Sequence, residues 1–217
     1  NGAFSEFVKV PASWVDNLPK NLSLEDSMCF GTSGFTSIIA CDLIKKLLPK
    51  KEILPVLITG ASGGVGIIST IILKNSGYDV ILATSNLDIK KNNFFNKFNI
   101  KEVIDTSYMQ KKSILPLNIK KFSAVIDSLG GNVLSNAMGF LDQNGILISV
   151  GNVLDQSFNA SLMPLILRNV CIMGINAESL NNRKRKKIFN FMENFSLEKF
   201  NNKNFIKKIK FLNIISE

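Results

Sequence analysis

Residues 55–70 read PVLITGASGGVGIIST. Four apolar or β-branched residues, Val56 to Thr59, lead into seven positions that hold four glycines, and an apolar run resumes at Ile67. The pattern predicts a short buried strand, a glycine turn and the start of a helix. In that arrangement Gly63 lets the backbone approach a pyrophosphate, and Gly66 lets the helix pack tightly on the strand. The free N–H groups at the helix start, aided by the helix dipole, bind the phosphates. Ser62, Gly63, Gly64, Val65 and Gly66 therefore form a candidate phosphate cradle. Ala61 stands at the first glycine position of G-x-G-x-x-G. A glycine motif alone is weak, but here a strand precedes it and a βα series follows, which argues against a mere tight turn.

The series continues in both directions. Residues 79–84, 102–105, 123–128, 145–151 and 170–176 read as further apolar strands, and 65–74, 88–98 and 133–141 as helices. Strands that are apolar throughout and separated by helices indicate a parallel sheet covered on both faces. The expected class is α/β, a doubly wound Rossmann-type sheet of six strands. Upstream, AFSEFVKVPASWV reads as a strand and a turn. Ser23 with Asp26 three residues on reads as a helix cap, and Phe35, Ile38, Ile39, Leu43 and Leu47 recur at helical spacing before Pro49. Downstream, a basic amphipathic helix is expected over 182–195, then an alternating strand, IKKIKFLNI.

Composition narrows the function. The chain has 217 residues, is 46% hydrophobic and has no histidine, so it supplies no histidine triad and no histidine zinc ligand. Three widely spaced cysteines suit reduced, cytoplasmic thiols rather than a disulfide framework or a zinc site. No run of about 18 apolar residues suggests a membrane span, and nothing reads as a signal peptide. Asn1 is not an initiator, so a processed product or fragment is expected. The net charge is +9, and residues 181–217 hold ten Lys or Arg against three acids. A solvated helix face is the preferred reading of RKRKK, ahead of a nucleic-acid or other polyanion surface.

The glycine loop also fits TGxxxGxG, the spelling of short-chain dehydrogenases. Those need a downstream Tyr-x-x-x-Lys, and Tyr108 with Lys112 is too close to the third strand to reach a nicotinamide. More than fifty residues precede the loop, so that reading is rejected. The second strand ends Thr84, Ser85, Asn86, with no acid to bind ribose hydroxyls. Neutral groups there accept a 2′-phosphate, with Lys90, Lys91 or Lys101 able to add charge, so NADPH is favoured over NADH.

FGTSGFTS (30–37), VLITGASGGVG (56–66), VIDSLGG (125–131) and MPLILRNVCIMGIN (163–176) occur in this order. Together they resemble the zinc-independent medium-chain reductases of the quinone oxidoreductase type, most of all the acrylyl-CoA reductase subgroup. The resemblance implies residues 1–27 as the end of an N-terminal GroES-like catalytic segment, 28–177 as the cofactor domain, and 178–217 as an incomplete return to the catalytic domain. It places Ser62, Gly63, Gly64 and Val65 on the pyrophosphate, and Thr84, Ser85, Asn86 and Lys101 near the 2′-phosphate. Thr32 faces the nicotinamide side, and Ser128 and Asn152 follow the fourth and fifth strands at the ligand edge. Asn176 replaces an expected acid and Ala177 a small hydroxyl residue in the last cofactor segment.

The implied chemistry is hydride transfer from NADPH to the β-carbon of an α,β-unsaturated thioester such as acryloyl-CoA, with no metal. A quinone is the alternative acceptor, and a catalytically inactive NADPH- or polyanion-binding fragment is the alternative role. No catalytic residue is assigned, because the proton donor would lie in a segment this chain lacks. A homodimer acting on a small-molecule substrate is expected.

Overall fold

The computed structural model describes residues 5–49, 53–86, 98–100, 102–111 and 115–195. The chain divides into two compact units, residues 30–181 and the paired flanks 1–29 with 182–217.

The larger unit is a six-stranded parallel sheet. Its strands are β1 (Val56–Thr59), β2 (Val80–Thr84), β3 (Glu102–Asp105), β4 (Phe122–Asp127), β5 (Leu141–Ser149) and β6 (Cys171–Gly174). They lie in the order β3-β2-β1-β4-β5-β6. This is the doubly wound order, with its reversal between β1 and β4. All of β1, β2 and β4 is buried, as their uninterrupted apolar spelling requires. Leu57, Ile58, Leu82 and Ile126 are wholly buried, each contributing about 1.5–3 kcal/mol relative to exposure.

Six described helices accompany the strands: α1 (Leu24–Leu47), α2 (Gly64–Asn75), α3 (Thr106–Gln110), α4 (Gly131–Gly139), α5 (Met163–Arg168) and α6 (Asn182–Asn194). The expected helix over 88–98 lies almost wholly outside the described residues, and so does the IKKIKFLNI strand.

Helix α1 begins as its sequence predicts. The Ser23 hydroxyl accepts from the Asp26 amide at 3.0 Å and donates to the Asp26 carboxylate at 2.6 Å, so the capping half of the box forms while the carboxylate takes the Ser23 hydroxyl rather than its amide. The helical run is broken at Gly31, whose φ of 44° only glycine adopts freely. Beyond the break one stripe meets α2: Ser37 Oγ donates to the Val65 carbonyl at 3.1 Å, and Cys41 Sγ to the Ser69 carbonyl at 3.8 Å. By length and hydropathy alone, with the break at Gly31 left out of account, Leu24–Leu47 would suffice to cross a membrane. Burial of 44% of that apolar window is also what a core helix shows.

Two expectations are corrected. The alternating residues before Pro11 form no strand among the described residues, only a short 3-10 turn over Ala12–Trp14. Strand β5 begins at Leu141, not Gly145. Its register against β4 shifts between Phe122 and Ala124, and Asn144 takes a φ of 57°. The polar run Asp142–Gln143–Asn144, outside the expected helix and strand, is a bulged entry into the strand.

Arg168 ties this end of the sheet together. Its guanidinium donates to the carbonyls of Gly139 at 3.0 Å, Leu141 at 2.7 Å and Asn118 at 2.5 Å. Asn169 then ends α5 in the left-handed region and donates to Asn144 Oδ1 at 2.8 Å.

In the smaller unit Arg185 forms an ion pair with Asp16 at 2.5 Å and donates to the Trp14 carbonyl at 3.2 Å. One member of RKRKK is thus a structural link, while Arg183, Lys186 and Lys187 are exposed.

Candidate functional site

The carboxyl ends of β1 and β4 part at the point where strand order reverses, and a cleft of about 420 Å³ opens there. The glycine loop forms its floor. Gly60 holds a φ of 61°, and a Cβ on it would stand 3.3 Å from the Ser128 side chain. A Cβ on Gly66 would lie 2.6 Å from both the Ala61 Cα and the Gly60 carbonyl oxygen, so helix α2 reaches the strand only because position 66 is bare. A Cβ on Gly64 would meet Ser33 Oγ at 2.8 Å. Gly63 caps α2 without any side-chain hydrogen bond, and no acid sits in the first turn. The first amides of α2 are therefore left to a ligand, with the dipole behind them.

The β2 side of the cleft carries Thr84 and Ser85. Thr84 Oγ1 bridges to Ser62 Oγ at 3.3 Å and accepts from the Asn86 amide at 3.1 Å. Asp105 at the end of β3 caps α3 through the Ser107 amide at 2.8 Å. The helix then turns Thr106 and Gln110 to the cleft. Among the described residues the lining holds no Asp, Glu, Lys or Arg.

The β4 side is built by backbone pairing. Leu154 N donates to the Leu129 carbonyl at 2.8 Å, and Val153 N to the Ser128 carbonyl at 3.2 Å. A bridge joins Gly130 to Asp155, where a Cβ on Gly130 would stand 2.2 Å from the Asp155 carbonyl oxygen. Leu129, Val153 and Leu154 face the cleft from this wall.

Beneath the wall lies a buried carboxylate. Asp127 is fully buried and accepts from Thr59 Oγ1 at 2.6 Å, the Gly130 amide at 2.8 Å and the Leu129 amide at 3.2 Å. Burial raises its pKa above the ordinary carboxylate value, and the three donors oppose the rise. Thr59 Oγ1 in turn accepts from the Ser128 amide at 3.1 Å. The Ser128 hydroxyl oxygen is buried and, among the described residues, has no partner.

Of the residues expected from sequence, the structure gathers Ser62, Gly63, Gly64, Val65, Gly66, Thr84, Ser85 and Ser128 around one cleft. Thr32, Asn86, Asn152 and Ala177 are outside its lining, although Ser33, Ser85 and Val153 beside three of them are in it. Lys90, Lys91 and Lys101 lie outside the described residues. Asn176 spends its side chain locally, accepting from the Glu178 and Ser179 amides at 3.0 and 3.2 Å. Sequence reasoning missed Thr59, Gly60, Thr106, Gln110 and Asp127. A glycine directly after a strand and an Asp ending one were the available signals. Tyr108 sits on α3, 70% exposed, with Lys111 Nζ 5.6 Å from its ring centroid.

A family profile described as zinc-binding dehydrogenase matches residues 64–194. The protein YhfP of Bacillus subtilis is 31% identical over 179 residues, covering 82% of this chain and 53% of its own length. The acrylyl-CoA reductase AcuI of Ruegeria pomeroyi is 28% identical over 178 residues, covering 81% and 53%. The solved structure of YhfP, with NAD bound, superposes with a TM-score of 0.85 at 25% identity, covering all of this chain and 65% of that one. The Escherichia coli YhdH structure with bound NADPH gives 0.81 at 22% identity, covering 89% and 58%, a likeness of fold. The chain spans about half the length of the curated relatives it matches. Zinc does not fit what this chain offers: it has no histidine, and no group of three His, Cys, Asp or Glu converges among the described residues.

Proposed function

Because the chain belongs to the medium-chain dehydrogenase/reductase family, in its zinc-independent quinone-oxidoreductase type, we propose that it is the cofactor-binding part of an NADPH-dependent reductase of a carbon–carbon double bond conjugated to a thioester. The observation that carries the cofactor choice is the β2 edge of the cleft. Thr84, Ser85 and Ser62 present hydroxyls there, and among the described residues the lining holds no carboxylate to repel a 2′-phosphate. The glycine cradle fits a pyrophosphate, since its amides are uncapped and its Cβ positions are bare.

When bound, the cofactor supplies a hydride from its nicotinamide ring. The rest is the work of this chain's residues. Gly63, Gly64 and Val65 receive the pyrophosphate, Thr84 and Ser85 the adenosine side, and Ser128 the nicotinamide side. Leu129, Val153 and Leu154 would supply the apolar wall on that side. The thioester assignment rests on the likeness to AcuI, whose name carries that substrate class. A cytoplasmic setting agrees with three free thiols. A homodimer agrees with edge strand β6, which pairs with β5 alone among the described residues.

Fluorescence titration of the chain with NADPH and NADH tests the cofactor reading; tighter binding of NADH would overturn it. NADPH oxidation by the product of the full gene, with acryloyl-CoA against a quinone, tests the substrate. Turnover with the quinone alone would replace the thioester.

A further inference from the structure

We propose that Thr59 and Asp127 are a positioning pair that sets the nicotinamide-side wall of the cleft and leaves the adenosine side unaffected. The inference rests on the dinucleotide reading above.

The Thr59 hydroxyl has one proton, and that proton is committed to Asp127 Oδ1 at 2.6 Å. Its lone pairs are then the acceptor for the Ser128 amide at 3.1 Å. The other carboxylate oxygen takes the Leu129 and Gly130 amides. Three successive amides of the turn after β4 are thus fixed from below by one side-chain pair spanning the strand-order reversal. The turn is fixed from its far side by the 153–155 backbone. Ser128 Oγ is the polar group this frame leaves without a partner. Every side-chain hydrogen bond made by Thr59 and Asp127 serves the β1–β4 side. None reaches Ser62, Thr84 or Ser85, where the adenosine end would bind. A pair that served only to hold the sheet would have no reason to favour one half of the ligand.

Equilibrium titrations of the 217-residue chain with NADPH and with 2′,5′-ADP separate these roles. The proteins are wild type, Thr59→Val, Thr59→Ser and Asp127→Asn. Thr59→Val and Asp127→Asn are expected to weaken NADPH about tenfold or more, and 2′,5′-ADP by less than about twofold. Thr59→Ser, which keeps the hydroxyl, restores NADPH affinity. Thr59→Val is nearly isosteric and carries the test if Asp127→Asn does not fold. Equal loss of both ligands, or loss of neither, overturns the positioning role and leaves the dinucleotide reading standing. A wild-type chain that binds neither ligand overturns both.

Discussion

Arg168 donates through Nη1 to the carbonyl oxygen of Leu141 at 2.7 Å, twenty-seven residues earlier in the chain. With the Gly139 and Asn118 carbonyls it closes three chain segments around one guanidinium. The fork of donors that makes this possible belongs to arginine and not to lysine. Removing it strands partly buried carbonyls, at about 1–3 kcal/mol for such groups. Arg168→Met is expected to lower the urea midpoint by an amount in that range, with Arg168→Lys recovering less than half. Unchanged midpoints in both variants would show that the carbonyls find other partners.

Gly66→Ala forces a methyl to within 2.6 Å of the Ala61 Cα and the Gly60 carbonyl. Backbone cannot yield there as a side-chain tip would, so α2 must back away from β1. The expected cost is about 1–3 kcal/mol, with loss of detectable NADPH binding because the α2 amides move with the helix. Thermal unfolding and fluorescence titration on the same preparation check both halves.

A carboxylate placed at the end of β2 should reverse the proposed cofactor preference. Ser85→Asp puts a negative charge where the lining has none among the described residues. NADPH affinity is expected to fall by about tenfold or more, and NADH affinity to hold or rise. Parallel titrations at two salt concentrations show whether the loss is electrostatic, since repulsion at an exposed residue weakens with salt.

The two carboxylates Asp127 and Asp142 should make opposite contributions to stability against pH. Burial, partly offset by the bonds from Thr59, Gly130 and Leu129, raises Asp127 above its ordinary 3.8. The folded chain then keeps that proton longer than the unfolded one, so the contribution of Asp127 is full below 3.8 and is lost as pH rises through the raised value. Asp142 is lowered, chiefly by its hydrogen bond from Lys120. Its contribution is present above 3.8 and is lost as pH falls through the lowered value. Denaturant midpoints between about pH 3 and 7 should therefore show the cost of Asp127→Asn shrinking as pH rises and that of Asp142→Asn growing.

Cys41 is sealed between α1 and α2, and burial pushes its thiol up to about 12. Cys171 is exposed on the edge strand. A thiol reagent at neutral pH should label Cys171 at once and Cys41 only after denaturant is added. Early labelling of Cys41 would mean that the α1–α2 contact opens in the native protein.

How legible this was in sequence varied with the kind of interaction. The buried strands announced themselves because both faces of a parallel sheet must be apolar, and β1 was bounded to the residue. Strand β5 was shortened because Asp142, Gln143 and Asn144 are turn-formers by composition, and only the pairing of Phe122 with Leu141 makes them strand. The glycine cradle was readable because a missing side chain is a local fact. Thr59 and Asp127 were passed over because their roles depend on 68 residues of separation closing at the sheet's reversal point. The LILRNV stretch was the most telling part of the family resemblance. Its Arg168 and Asn169 now have a physical task, one holding carbonyls and the other ending a helix.

The wall beside Ser128 is held by main-chain atoms: Val153 and Leu154 give their amides to it, while their side chains are 78% and 50% exposed. Frame and lining are thereby separable. Descendants of this chain can exchange the two side chains for larger, smaller or polar ones without redesigning the loop that carries them.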